Sequence, residues 1–534
     1  MEEIFSFYDS SSKSPEVHIP TADKKQLVKN TQEAPVWIHF GGGNLYRGFH
    51  GKIAQDLIEA GELTSGVIVC ETFDEGIVDD CYQPYNNDFA QVIMHESGDL
   101  DVNLINATAA SYYCHPNRSE SFAKVLQIFQ QPSVQFVTLT ITEKGYNIRD
   151  SAGNYAPIVQ QDLANGPENP QHTVSILTAL LYARFKQGKL PIAMVSTDNF
   201  SQNGQKFQTS VLAIAEGWQQ AGWVEAGFID YLSNDQLVSF PWTMIDRITP
   251  NPSEAVKEKL EAIGFSEVDL IQTAKHTNIA LFANTEATHY LVIEDAFPNG
   301  RPALEKAGVI LTDRETVDKV DTMKVTACLN PLHTALAIFG CLLGKMSIAE
   351  EMRDKALVKL IEGIGYREGL PVVADPGIID PKQFIDEVIH TRLVNPMIPD
   401  TPQRIAADTS QKIGIRYGET IKKYVALPDK SVEELHYIPL TIAGWLRYLL
   451  AVDDRGEAFT PSPDPLLDEL QEQLARVTIG FTGDVRPAVR PILRNTQIFG
   501  SDLYEIGLGE KVEQYFKEML QGPGAVRATV EKYV

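Results

Sequence analysis

The sequence has few cysteines, no excess of basic charge and no long apolar run, and each shortage removes a class of function. Five cysteines (Cys70, Cys81, Cys114, Cys328 and Cys341) stand without a CxxC pair among 534 residues. That argues against a disulfide frame or a cysteine zinc site and for reduced thiols in a cytoplasm. Lys and Arg number 46 against 71 Asp and Glu, a formal charge of −25, and a field of that sign repels nucleic-acid phosphates and anionic lipid headgroups. Neither nucleic acid nor a membrane surface is an expected partner. The longest apolar stretch, around Ala335 to Leu343, falls short of the about 20 residues that span a bilayer. The opening MEEIFSFYDSSSKSP is acidic where a secretory signal is basic, and no apolar core follows, so no export is expected. The 11 histidines are scattered, without an HExxH pattern, and the sequence requires no metal.

What is present is ordinary globular material, 43% hydrophobic and 22% charged, in a chain long enough for more than one domain. Short β-branched runs, Val36 to Phe40, Val67 to Cys70, Phe136 to Thr142 and Ile192 to Thr197, alternate with helical stretches. That alternation predicts an α/β domain with a mainly parallel sheet. After the turn-rich Asp295-Ala-Phe-Pro-Asn-Gly-Arg-Pro302 the apolar spacing changes to three and four, the period of helices. The expected division lies near residue 300, with a Rossmann-type domain over 1–300 and a mostly α-helical domain over 301–534.

The first strand runs into Gly41-Gly-Gly43-Asn44-Leu-Tyr-Arg47-Gly48 and then into a helix reaching Glu59. A glycine-rich turn between strand and helix lets backbone N–H groups approach a pyrophosphate, which makes Gly41, Gly43, Asn44 and Arg47 candidate cofactor contacts. Tyr46 stands where GxGxxG has its third glycine. The second strand ends at Glu71 and Asp74, either of which could accept both ribose hydroxyls. An acid there disfavours the extra phosphate of NADP, so NAD is the expected cofactor.

Two patterns compete for the chemistry. Tyr182-Ala-Arg-Phe-Lys186 matches the YxxxK pair of short-chain dehydrogenases, but those are about half this length and the pattern is short. More informative is Met323-Lys324-Val-Thr-Ala-Cys-Leu-Asn330-Pro-Leu-His333, in which polar groups interrupt an apolar helix and must be satisfied or functional. Asn330 and His333 share a helix face. A lysine in an apolar pocket can exchange a proton near neutral pH, and Asn N–H groups can stabilise an alkoxide without a metal.

Six segments, in order, resemble the polyol-specific long-chain dehydrogenase/reductase (mannitol dehydrogenase) family. They are His39 to Phe49, Thr140-Ile-Thr-Glu-Lys-Gly-Tyr146, Ser196-Thr-Asp-Asn199 to Gly204, Phe240-Pro-Trp-Thr-Met-Ile-Asp246 to Pro250, Lys324 to His333, and Asn395 through Arg404 to Lys412. The resemblance implies a metal-independent, NAD-linked oxidoreductase with its site between a Rossmann-type and a helical domain. It makes Lys324 the general acid/base, gives Asn199 and Asn330 the substrate oxygen, has His333 orient the substrate, assigns Arg404 and Lys412 to its hydroxyls or carboxylate, and puts Asp246 near the nicotinamide. Other members place four residues between the lysine and the asparagine, whereas here Val325 to Leu329 make five, and Pro331-Leu replaces Gly-Ser. On a regular helix the extra residue turns the lysine by about 100°, so a π-bulge or a non-helical start is expected there.

The leading expectation is reduction of a hexulosonate ketone, D-fructuronate to D-mannonate, by NADH. The alternatives are tagaturonate reduction, oxidation of mannitol or another polyol to its ketose, and a non-catalytic NAD-binding sensor. The partner is a small sugar acid or polyol, and the oligomeric state, monomer or dimer, stays open. Between Arg392 and Lys423 the basic residues Arg392, Arg404, Lys412, Arg416, Lys422 and Lys423 outnumber Asp400, Asp408 and Glu419. That local reversal of charge suits an anionic substrate, with Arg404 gripping a carboxylate through two parallel hydrogen bonds.

Overall fold

The computed structural model describes residues 5–12, 14–150 and 152–534. Four residues of the opening read against an export signal, together with Lys13, lie outside the described residues. The chain forms two compact units, Met1–Asp318 and Lys319–Val534. The division falls later than residue 300 because Ile310–Thr312 pairs in parallel with Tyr290–Glu294 and so belongs to the first unit.

In the first unit six parallel strands, β1 (Trp37–Phe40), β2 (Val67–Glu71), β3 (Thr108–Tyr113), β4 (Phe136–Leu139), β5 (Ile192–Ser196) and β6 (Val238–Ser239), lie in the order β3-β2-β1-β4-β5-β6. This is the doubly wound order, whose ligand crevice opens at the carboxyl ends of the strands where the winding reverses, between β1 and β4. Strands covered on both faces read as continuous apolar runs, and every residue of β1, β2, β4 and β5 is buried. Alternate side chains feed opposite cores. Ile38, Phe40, Ile68 and Cys70 pack with Phe122, Val125, Leu177 and Leu180 on one face. Trp37, Val67 and Val69 pack on the other with Ile53, Ala54 and Leu57 of helix α1 (Gly51–Glu59). A second helix, α2 (Glu75–Cys81), follows β2.

The second unit is mostly helical. Helix α3 (Arg314–Met323) leads through a π-helical turn (Lys324–Cys328) into α4 (Asn330–Leu342), and α4 packs against α5 (Tyr437–Leu449). Every residue of α5 is buried, as expected of a helix apolar all round. A Cβ at Gly444 would lie 2.6 Å from the Phe339 ring, so glycine there sets how closely α4 and α5 approach. The Glu368 carboxylate accepts the N–H groups of His436, Tyr437 and Ile438, satisfying amides at the start of α5 that have no partner within the helix. The run Arg314–Leu342 is 29 residues long and has the length and apolar character of a membrane span, which the sequence reading did not anticipate. Most of its apolar window is buried in the protein, as in the core helix of a globular unit. All five cysteines are free and buried.

Candidate active site

The glycine turn at the end of β1 is fixed from behind. Gly41 has φ +101°, and a Cβ there would fall 2.1 Å from the Thr140 carbonyl oxygen, so no other residue fits. Its own carbonyl accepts from the Thr140 hydroxyl at 2.9 Å and meets His39 Nε2 at 3.1 Å, while Thr138 Oγ1 meets His39 Nδ1. Burial, and then His50 beside it, hold His39 well below the usual histidine range, so it is neutral. The Gly42 carbonyl accepts from Tyr82, and the Gly42 N–H donates to the Glu71 carboxylate. Gly43 differs, since a Cβ there would meet nothing within 4 Å. The turn thus leaves open backbone at the start of a helix, the space a pyrophosphate needs, and the fit to a dinucleotide is good.

Glu71 closes β2 beside this turn, and burial pushes its carboxyl up to about 8. Asp74 is committed elsewhere, accepting from the Gly76 N–H at the start of α2 and from the Thr273 and Thr277 hydroxyls. Arg47 corrects the sequence reading. Its guanidinium is wholly buried and donates to the Ala280 carbonyl and, at 3.1 Å, to Asn44 Oδ1. It therefore shapes the turn from within rather than facing a phosphate. Asn44 in turn donates to the Asn278 carbonyl at 3.2 Å.

Other segments meet in the same unit. Asn199 is exposed just past β5, and beneath it Asp198 accepts from the Ile141 and Thr142 N–H groups and the Tyr146 hydroxyl. Asn203 bonds Thr243 twice, through Thr243 Oγ1 at 2.7 Å and the Thr243 N–H at 3.0 Å. That ties the Asn199 loop to the strand Thr243–Asp246, which ends at buried Asp246. The YxxxK pair is a surface feature, since Tyr182 and Lys186 both bind Glu225.

In the helical unit Lys324 is 2% exposed, with Asp321 at 3.8 Å. The turn that Lys324 opens is π-helical, closed by Leu329 N–H donating to the Lys324 carbonyl at 3.1 Å. A bond to the fifth residue back takes up one residue more than an α turn, which is where the sequence required it. Helix α4 then begins with Asn330, and His333 lies one turn on. His333 Nε2 is 3.1 Å from Asp400, whose other oxygen accepts from Arg404 Nε at 2.8 Å and Nη2 at 2.6 Å. Burial lowers the His333 pKa, against the pull of Asp400. Arg404, 68% exposed along its side chain, already has its fork on Asp400, which corrects the expectation of a fork free for a substrate carboxylate. Lys412 donates to the Ala407 carbonyl at 2.6 Å. Asp400 and Asp198, which hold these neighbouring groups, were not singled out by the sequence reading. Both lie inside quoted segments, and an Asp four residues before Arg404, just ahead of the short helix Pro402–Ile405, was the available sign.

Two family models match in the order of the two units, the mannitol dehydrogenase Rossmann domain over residues 36–306 and the mannitol dehydrogenase C-terminal domain over residues 316–520. The chain belongs to the mannitol dehydrogenase family. Among relatives in the family, the D-mannonate oxidoreductase of Thermotoga maritima is 52% identical over 97% of this chain and 96% of its own length. That of Escherichia coli is 29% identical over 71% of each. Of solved structures, the ternary complex of Pseudomonas fluorescens mannitol 2-dehydrogenase with NAD and D-mannitol aligns with TM-score 0.71 and 25% identity, over 98% of this chain and 99% of that one. Substrate-free D-sorbitol dehydrogenase aligns with TM-score 0.80 at 23% identity over the same shares, a likeness of fold. The family architecture, a Rossmann-type domain and a helical C-terminal domain, is that of the two units here.

Proposed function

We propose that this protein is an NAD-dependent oxidoreductase that reduces D-fructuronate to D-mannonate and catalyses the reverse oxidation. The reading rests on the 52% identity to the D-mannonate oxidoreductase of Thermotoga maritima along nearly the whole chain. The open Gly43 and the placement of Glu71 support NAD as its cofactor. NADH, when bound, supplies the hydride.

The chain's own residues handle the proton and the substrate's orientation. Lys324 Nζ delivers the proton to the ketone oxygen and recovers it in the reverse direction. Asn330 steadies that oxygen through its side-chain amide. His333, held by Asp400, orients the neighbouring hydroxyls, and Arg404 and Lys412 flank them. Asn199 and Asp246, the other residues read from the sequence, lie in the Rossmann unit.

Lys324→Ala should lower turnover of fructuronate by about 100- to 10,000-fold, with NADH binding, read by quenching of protein fluorescence, unchanged. Near-normal turnover would place the proton donor elsewhere. Comparable efficiency with D-fructose and D-fructuronate in the unaltered enzyme would shift the reading to a neutral polyol.

A further inference from the structure

We propose that Arg416, rather than Arg404, is the receptor for the substrate's carboxylate and so sets preference for a sugar acid over a neutral sugar. The inference rests on the hexulosonate reading above.

The charges near His333 divide unequally. Asp400 is already shared between His333 and Arg404. Arg416 has a neutral partner, the Thr334 hydroxyl, to which Nη1 donates at 2.6 Å. Among the described residues no carboxylate pairs with it, and its charge, like that of Arg392, is felt by His333. Burial lowers its pKa, as for a partly desolvated cation, and of the five N–H donors of a guanidinium the Thr334 hydroxyl engages one. An incoming carboxylate would restore the missing charge and take two parallel hydrogen bonds.

The position fits as well as the charge. Asn330, His333 and Thr334 stand at i, i+3 and i+4 on the first turn of α4, which is one helix face. Arg416 therefore rests on the face that carries the residues assigned to the ketone oxygen and the hydroxyls. Four residues of helix advance about 6 Å. In fructuronate four carbon–carbon bonds of about 1.5 Å separate ketone from carboxylate, roughly 5 Å when extended. A substrate lying along this turn with its ketone at Asn330 brings its carboxylate to Thr334 and Arg416.

The support is rigid. Arg416 lies in a π-helical turn (Gly414–Gly418). A Cβ at Gly414 would fall 2.6 Å from the Ile498 carbonyl oxygen, and one at Gly418 would fall closer still to that of Phe499. Tyr417, next in the chain, donates to the Pro331 carbonyl at 2.7 Å, clamping the turn to the start of α4.

The test compares Arg416→Gln with the unaltered enzyme in kcat/KM for D-fructuronate and D-fructose, and in calorimetric binding of D-mannonate and D-mannitol to the enzyme loaded with NAD. We expect KM for fructuronate to rise about 10- to 100-fold, mannonate binding to weaken alike, and the values for fructose and mannitol to move less than threefold. Equal losses for charged and neutral ligands, or retained discrimination that Arg404→Gln then removes, would overturn the assignment while leaving the hexulosonate reading intact. Failure of the unaltered enzyme to prefer fructuronate would instead remove that reading. If Arg416→Gln does not fold, Arg416→Lys decides, because it keeps the charge and loses the fork. It should still raise KM for fructuronate several-fold with fructose unaffected, and an equal effect on both would count against Arg416.

Discussion

Glu71 and Asp74 lie three residues apart at the end of one strand, and their partners separate what spacing alone could not. Asp74 spends its carboxylate on the first turn of α2 and on two threonine hydroxyls, so it holds the 273–277 loop in place. Glu71 faces the Gly42 amide, beside the turn proposed for the cofactor. Glu71→Ser should therefore relax the preference for NADH over NADPH, measured as the ratio of kcat/KM values. Asp74→Ala should leave that ratio alone and lower the melting temperature, since loss of a good helix cap costs about 1 kcal/mol. A changed cofactor ratio in the Asp74 variant with none in the Glu71 variant would reverse the assignment. The same accounting of partners decides four other residues. Arg47 is consumed by a carbonyl inside the fold, Arg404 by Asp400, and Tyr182 with Lys186 by Glu225.

At the scale of elements the recurring feature is the π turn, which the described residues adopt at Tyr46–His50, Lys324–Cys328, Gly363–Gly369, Val388–Arg392 and Gly414–Gly418. Such turns are rare and favour functional sites, and here they carry Arg47, Lys324, Arg392 and Arg416. Because a π turn takes up one residue while the helices on either side keep their phase, deleting partly exposed Val325 should convert it to an α turn and leave Lys324 facing as before. That variant should keep kcat within about tenfold of the parent, far above the loss expected for Lys324→Ala. A fall to the level of Lys324→Ala would show that the π geometry itself is required. The need for this turn was legible in the sequence as one residue too many before Asn330, and the doubly wound sheet was legible in its buried β-branched runs. The arginines' partners were legible unevenly, since Asp400 four residues before Arg404 was a readable sign, whereas the Ala280 carbonyl that Arg47 meets is remote in sequence. The division at Asp318 was likewise hidden, since the three residues Ile310–Thr312 join the first unit only through a strand pairing across a turn-rich segment.

For the whole molecule, buried titratable groups set how stability depends on pH, and their two kinds work in opposite directions. Burial raises the carboxyls of Glu351, Glu71 to about 8, Glu368 to about 7 and Asp88 to about 6. Each then holds in the folded state a proton that the unfolded chain releases above about pH 4.5. Through these groups stability falls as pH rises from the unfolded pKa to the folded one. Burial lowers His39 well below its usual value and His50 to about 4, so the unfolded chain gains protons below about pH 6.5 and stability rises with pH up to that point. Above pH 6.5 the histidine contribution is spent and the carboxyl one persists, while surface carboxylates are already ionised, so their mutual repulsion changes little across the window. The helical unit carries two of the raised groups. Glu368 has three backbone N–H partners, whereas both oxygens of Glu351 lack one, packed so closely on α4 that a Cβ at Gly340 would collide with them. The unfolding free energy should therefore decline between pH 6.5 and 8, by up to about 1.4 kcal/mol per pH unit for each retained proton. Glu351→Gln, which removes one such proton at nearly constant shape, should flatten that decline and stabilise the protein at pH 8. Urea unfolding at pH 6.5, 7.25 and 8, with proton release measured by calorimetry in two buffers of different ionisation enthalpy, reads both effects. A stability that rises across this window, or a Gln variant with the parent's slope, would mean that Glu351 is ionised in the folded protein.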